Sequence, residues 1–177
     1  MCIRDSNIEG NPIKQFIDLV LKAKPEQVTL VPDAEDAITS NAGWDTIKHR
    51  DFLKEVISEF KRNDIRTSIF VDPVPSMVEG AVETGTDRIE LYTEEYAKQY
   101  AKGNKAAIEP YVKCAEVANK LGLGINAGHD LSLENIRYFK ENIPGLLEVS
   151  IGHALIAEAI YMGLENVIHQ YLKLLKH

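Results

Sequence analysis

Short apolar runs alternate along this chain with longer segments of helical period. The runs at 7–9, 27–31, 67–71, 88–92, 124–126 and 147–151 are each bounded by turn residues or charges. They read as strands buried on both faces, as in a parallel sheet. The intervening segments repeat apolar residues every three to four positions. Asn11-Pro12 is read as the start of the first helix, with Pro at the first helical position. Its apolar face is Ile13, Phe16, Ile17, Val20 and Leu21, and Pro25 marks its end. Asp45 opens the second, with a stripe of Ile47, Phe52, Val56, Ile57 and Phe60. A third spans 73–84 and is closed by Gly85. Further helices are expected at 106–121, at 133–142 before Pro144, and at 154–162 and 165–176, split at Gly163.

Strand–helix alternation of this kind builds right-handed βαβ units. Six strands fit either an open doubly wound sheet or part of an eight-stranded barrel, and periodicity does not choose between them. No Gly-x-Gly-x-x-Gly follows the first strand, which weakens a dinucleotide-binding reading. With no repeat, low-complexity tract or linker, one domain is drawn.

Composition narrows the class. The chain has 177 residues, 45% of them hydrophobic and 27% charged, as in ordinary globular proteins. A net charge of −7 argues against nucleic acid or an anionic membrane as the main partner. No run reaches the roughly 20 apolar residues of a membrane span, and the first six residues lack the apolar core of a signal peptide. Cys2 and Cys114 form no framework or Cys-x-x-Cys motif, so a reducing cytoplasm is the expected compartment. Cys114, inside a helical pattern, is expected to be a buried, inert thiol.

The polar residues that remain gather at strand ends, where barrel chemistry collects. Glu9 ends the first strand. It reads either as a solvated carboxylate at a helix start or as a general base. The loop 32–43 carries Thr39, Ser40 and Asn41. Glu90 lies within an apolar strand, where a carboxylate is costly unless paired or protonated. A Glu facing a polar barrel interior is the better reading, with Arg88 taken to be out of phase with it. His129, after Gly128, is an acid/base candidate or a structural His. Gly152-His153 opens a helix, whose free N–H groups suit a phosphate, or is a plain turn. His49, His169 and His177 are read as surface residues, and no ligand spacing predicts a metal.

At these residues the chain resembles the pyridoxine 5′-phosphate synthase family. The matching segments are Asn7-Ile8-Glu9-Gly10-Asn11-Pro12, Pro25-Glu26-Gln27-Val28-Thr29-Leu30-Val31-Pro32-Asp33 and Thr39-Ser40-Asn41-Ala42-Gly43-Trp44-Asp45. They continue with Arg88-Ile89-Glu90-Leu91-Tyr92, Asn126-Ala127-Gly128-His129-Asp130-Leu131 and Ile151-Gly152-His153-Ala154. The resemblance implies a cytoplasmic, cofactor-free (β/α)8 TIM barrel without a metal. Such an enzyme condenses 1-deoxy-D-xylulose 5-phosphate with 3-amino-2-oxopropyl phosphate and closes the pyridine ring with release of phosphate and water. It implies Glu9 as proton acceptor, His129 as proton donor and Glu90 as transition-state stabiliser. Thr39 would contact the deoxyxylulose phosphate. Asp130, Gly152 and His153 would contact the aminoketone phosphate, although many members carry Gly at the position of Asp130. It also implies a homo-oligomer, octameric in the family, with extra helical segments near 93–105 at subunit contacts.

The same resemblance makes 7–9 the third of eight strands. Residues 7–177 are then a TIM-barrel domain of about six βα units, strands 3–8, without the first two. Residues 1–6 do not resemble the family and are read as artefactual. A barrel so opened exposes two sheet edges, and this chain alone is expected to be inactive or misfolded. The rival readings are a non-catalytic phosphate-binding or assembly remnant, and another phosphosugar barrel enzyme. A Schiff-base aldolase would want a strand-end Lys, which none of these strands has.

Overall fold

The computed structural model describes residues 5–33, 40 and 42–176. Six strands, β1 (Asn7–Gly10), β2 (Gln27–Leu30), β3 (Arg66–Val71), β4 (Arg88–Tyr92), β5 (Gly124–His129) and β6 (Leu146–Ile151), pair in chain order, every pair parallel. Helices alternate with them: α1 (Lys14–Ala23), α2 (Arg50–Arg62), α3 (Pro75–Thr84), α4 (Glu94–Ala101), α5 (Glu109–Leu121), α6 (Ile136–Asn142), α7 (His153–Met162) and α8 (Leu164–Leu175). The sheet curls into an incomplete (β/α)8 barrel. Among the described residues, β1 and β6 each pair on one side only.

The strands are not apolar throughout. Successive side chains point to opposite faces. On one face Val28, Leu30, Ile69, Val71, Ile89, Leu91, Ile125 and Ala127 are fully buried in the core that the helices share. On the inner face stand the buried polar residues Gln27, Thr29, Ser68, Glu90 and Asn126. Arg88, two positions from Glu90, shares this face. The expectation that it is out of phase is therefore corrected: Arg88 Nη1 lies 2.7 Å from Glu148 Oε1 and donates to Asn126 Oδ1 at 3.2 Å. Arg66 and Gln27 join the same network. A charged layer thus fills the barrel below the strand ends.

Several helix starts differ from expectation. α1 begins at Lys14, beyond Pro12, and no side chain caps it. Asn11 Nδ2 instead donates to the Asp33 carbonyl at 2.7 Å, tying the exit of β1 to that of β2. Asp45 Oδ1 accepts the Lys48 N–H at 2.9 Å and so closes the turn before α2. The buried stripe of α2 is Leu53, Val56, Ile57 and Phe60. Ile47 precedes the helix and is outside its period, and Phe52 lies at the margin of the stripe beside Trp44. α5 starts at Glu109, where Pro110 occupies the first turn without a lost donor, after a 3₁₀ turn at Lys105–Ile108.

Gly43 lets the β2–α2 loop tuck against β3. A Cβ there would lie 2.2 Å from the Asp72 amide nitrogen. The next residue, Trp44, is buried, donates its backbone N–H to Phe70 O at 2.8 Å, and donates Nε1–H to Leu30 O at 3.1 Å. Tyr111 reaches from α5 to the end of β4 through its hydroxyl, which donates to Tyr92 O at 3.0 Å. Cys114 is buried as expected, and burial pushes its thiol up to about 11, which keeps it protonated and inert. Among the described residues no helix is long and apolar enough to cross a membrane.

Candidate active site

The carboxyl ends of β1, β4, β5 and β6 surround one cavity of about 310 Å³. Glu9, Glu90, His129, Gly152 and His153, all expected at the site, line it together. Thr39 lies outside the described residues. Asp130 is not on the wall but pairs with His129. Two further polar residues belong to the cavity, Ser40 and Ser150, with the apolar Val31, Phe70 and Ile151 completing its wall. Ser40 stands in the loop that the sequence marks. Ser150 was missed. Its signal is the two-residue spacing from Glu148 on β6, which puts both on the inner face.

Glu90 is 2% exposed, and its Oε2 has no hydrogen-bond partner among the described residues. Burial, and then the negative charge of Glu9, push its carboxyl up to about 8. Glu148 adds to that rise, while the hydroxyls of Ser150 and Thr29 work against it. Glu90 is therefore protonated at neutral pH and can donate a hydrogen bond. Gly128 makes room for it: a Cβ there would lie 2.4 Å from Glu90 Oε1 and 2.8 Å from Ser150 Cβ.

Glu9 sits on the exposed rim of β1. The protein around its carboxyl raises its pKa, although water at the rim tempers that effect. Hydrogen bonds from Ser150 and Asn7, and the charge of His129, oppose the rise. Asn7 Nδ2 donates to Glu9 Oε1 at 2.8 Å, and Ser150 Oγ lies 3.4 Å from the same oxygen. That last contact spans the gap between β6 and β1.

His129 has φ 97, a backbone conformation that side chains other than glycine rarely adopt. Strain of this kind persists where the surroundings hold it, often at functional sites. Its Nδ1 lies 2.6 Å from Asp130 Oδ2. A carboxylate only accepts, so Nδ1 carries the proton in this pair. The Tyr92 ring meets the imidazole edge-on, at 5.2 Å between centroids and 89° between planes. Tyr92, Val31 and Phe70 form a small apolar cluster beside the polar groups.

Gly152 leads straight into α7. The helix ladder begins with Ile156 N–H to Gly152 O, at 3.3 Å, so the preceding amides have no partner within the helix. The first turn holds no acidic side chain, and nothing lies within 4 Å of the place a Gly152 Cβ would occupy. Glu158 holds the helix in position by accepting the Tyr171 hydroxyl at 2.6 Å and the Leu133 N–H at 3.3 Å. This arrangement suits an anion. Among the described residues, no group of three or more His, Cys, Asp or Glu could hold a metal ion.

These features define a class, a parallel βα-barrel whose strand ends bring two Glu, a His and an open helix start to one cavity. Comparisons with known proteins sharpen it. The family model "Pyridoxal phosphate biosynthesis protein PdxJ" matches residues 2–177. Relatives named pyridoxine 5′-phosphate synthase from Christiangramia forsetii and Flavobacterium johnsoniae are each 74% identical over 170 residues, 96% of this chain and 72% of theirs. One from Bacteroides thetaiotaomicron is 58% identical over the same share. Among solved structures, a lactate oxidase from Pediococcus acidilactici gives a TM-score of 0.62 at 13% identity, covering 98% of this chain and 55% of that one. A structure described as "Native KDPGal structure" gives 0.58 at 10% identity, covering 94% and 66%. At such identities these two speak for the fold alone. The chain belongs to the PdxJ family.

Proposed function

We propose that this chain supplies the strand-end chemistry of a pyridoxine 5′-phosphate synthase. The reaction joins 1-deoxy-D-xylulose 5-phosphate to 3-amino-2-oxopropyl phosphate and closes the ring with release of phosphate and water. The convergence of Glu9, Glu90, His129 and the α7 start on one cavity carries this reading. Condensing an amine with a ketone moves protons repeatedly, which calls for an acceptor and a donor at neutral pH. Glu9, held towards its ionised form by Asn7 and Ser150, is the acceptor. His129 is the donor, oriented by Asp130 through Nδ1. Glu90 remains protonated and donates a hydrogen bond to charge that develops above it. Gly152 and His153 hold the phosphate of the aminoketone, and Thr39 contacts that of the deoxyxylulose. Small phosphorylated compounds are the substrate class, and the cytoplasm is the compartment.

The test joins residues 7–177 of this chain to the part of the Christiangramia forsetii relative that lies outside the 170 matched residues, and follows pyridoxine 5′-phosphate formation. Turnover is expected, with losses of about 100-fold or more in Glu9→Gln and in His129→Asn at unchanged circular dichroism. Parent rates in both variants would remove these residues from the mechanism. Binding of the sugar phosphates without turnover would favour a phosphate-binding module instead. The 177-residue chain alone is expected to show no turnover, because its sheet leaves the cavity open between β6 and β1.

A further inference from the structure

His129 carries a φ of 97° at the end of β5, an angle that a residue other than glycine keeps only where its neighbours impose it. Two peptide planes meet at its Cα. The plane before it aims the Gly128 carbonyl, and the plane after it aims the Asp130 N–H. Both groups are bound by one residue, Thr93, at the exit of β4. Thr93 Oγ1 donates to Gly128 O at 2.7 Å, and the Thr93 N–H donates to the same oxygen at 3.1 Å. The Asp130 N–H donates in turn to Thr93 Oγ1 at 3.3 Å. A hydroxyl has one proton and two lone pairs, so it can give the first bond and accept the second together. With both planes tied to one oxygen, neither φ nor ψ of His129 can turn far.

The local sequence offers that hydroxyl a different use. Thr93 is the residue before α4, where a Thr side chain usually accepts an N–H of the first helical turn. Its carbonyl does accept the Ala97 N–H at 3.0 Å, but its side chain makes no capping bond. Thr93 is wholly buried, and its hydroxyl is turned across to β5 instead. Asp130 is also held from its other end, since its carbonyl accepts Asn135 Nδ2 at 3.2 Å. Fixed at both N–H and carbonyl, Asp130 presents Oδ2 to His129 Nδ1 at 2.6 Å. The imidazole is thereby anchored twice, through its backbone and through Nδ1.

We propose that Thr93 is a positioning residue for His129. Its hydroxyl staples the carbonyl before His129 to the amide after it, which holds the ring at the cavity and Asp130 against Nδ1. Thr93 does not line the cavity, so it acts on the reaction only through His129. This rests on the reading of His129 as the proton donor.

Thr93→Val keeps the branched shape and removes the hydroxyl, whereas Thr93→Ser keeps the hydroxyl and removes the methyl. Solid-state nitrogen NMR of the 177-residue chain, labelled at its five histidines, reads which ring nitrogen holds the proton whatever the size of the particle. His129→Asn assigns the signal. The unsubstituted chain and Thr93→Ser are expected to show one His129 population, protonated and hydrogen-bonded at Nδ1. Thr93→Val is expected to lose that single signal to several populations, with His49 and His169 in place and circular dichroism unchanged. An unmoved His129 signal in Thr93→Val overturns the staple, and so do several populations in the unsubstituted chain. Loss of the signal in Thr93→Ser overturns it too, because the methyl would then be the part that matters. If Thr93→Val does not fold, His129→Gly is added to it, since glycine adopts this φ without strain. Recovery of the fold is expected. A double variant that stays unfolded would place Thr93 in the fold at large rather than behind His129, and overturns the proposal. No turnover is needed for these measurements. A His129 signal lost in Thr93→Val, beside a joined enzyme without turnover, would sink only the synthase reading. A working synthase with an unmoved His129 would sink only the staple.

Discussion

Glu90 is a carboxyl group held where its charge is costly, and that cost has a direction in pH. Its ordinary value is 4.5, and in the folded chain it lies at about 8. Between these values the folded chain holds a proton that the unfolded chain has released. Stability therefore falls as pH rises through this window, and above it the folded state carries the full cost of a buried carboxylate. Glu90→Gln keeps the size of the side chain, and so its fit over Gly128, but cannot ionise. Urea unfolding at about pH 5.5 and about pH 9 should show the unsubstituted chain losing stability on the order of a few kcal/mol. The variant should lose less and become the more stable of the two at the higher pH. Equal pH dependence in the two chains would mean that Glu90 finds a compensating donor. His129 is the complementary case at this scale. Its chemistry was open in the sequence as an acid/base candidate, but its positive φ and its contact with Asp130 were not. Both depend on how β5 turns away from its neighbours.

At the scale of elements, the positions of all six strands were legible, and so was the gathering of polar residues at their ends. The polar inner face was present too, in Gln27 and Thr29, Arg88 and Glu90, and Asn126. It was read as a set of apolar runs because the outer residues of such short strands dominate their composition. An inner face this polar requires charges to be satisfied inside the barrel, which only the register of neighbouring strands reveals. The role of Asn11 was hidden for a similar reason, since the Asp33 carbonyl competes for it from 22 residues away. Ser150 and Glu9, 141 residues apart, meet only because β1 and β6 curl towards each other. The inner network makes its own prediction. Arg88 lies 2.7 Å from Glu148, against 3.5 Å for Arg66, so it carries most of the neutralisation. Arg88→Met should cost about 1–2 kcal/mol in chemical denaturation, less than a fully buried pair because Glu148 is partly exposed. Replacing Glu148 by Leu as well should restore most of that loss, since the unpaired charge goes with it. A double variant as unstable as the single one would show that packing of the Arg88 stem, rather than its charge, is what matters.

At the scale of the whole molecule, two kinds of surface stand out. Among the described residues, β1 and β6 each present a backbone edge with no strand on one side, and such edges pair readily with other chains. The second surface is α7, which contributes no buried residue at all. Ile156, Ile160 and Tyr161 are 59%, 76% and 89% exposed. Single exposed apolar residues are ordinary, but a contiguous set on one helix drives association. The net charge of −7 opposes it only weakly, because repulsion between exposed charges is screened within about 10 Å at ordinary salt. The 177-residue chain should therefore elute above its monomer mass at micromolar concentration, and light scattering should show the mass growing as salt is raised. Ile160→Lys combined with Tyr161→Glu places charge where the patch is most exposed and leaves the core untouched. It should lower the associated fraction at unchanged circular dichroism if α7 drives association, and leave it unchanged if the strand edges do. A monodisperse monomer of the unsubstituted chain would show that both surfaces are tolerated in water, and would remove the physical ground for expecting the isolated chain to be inactive through misassembly.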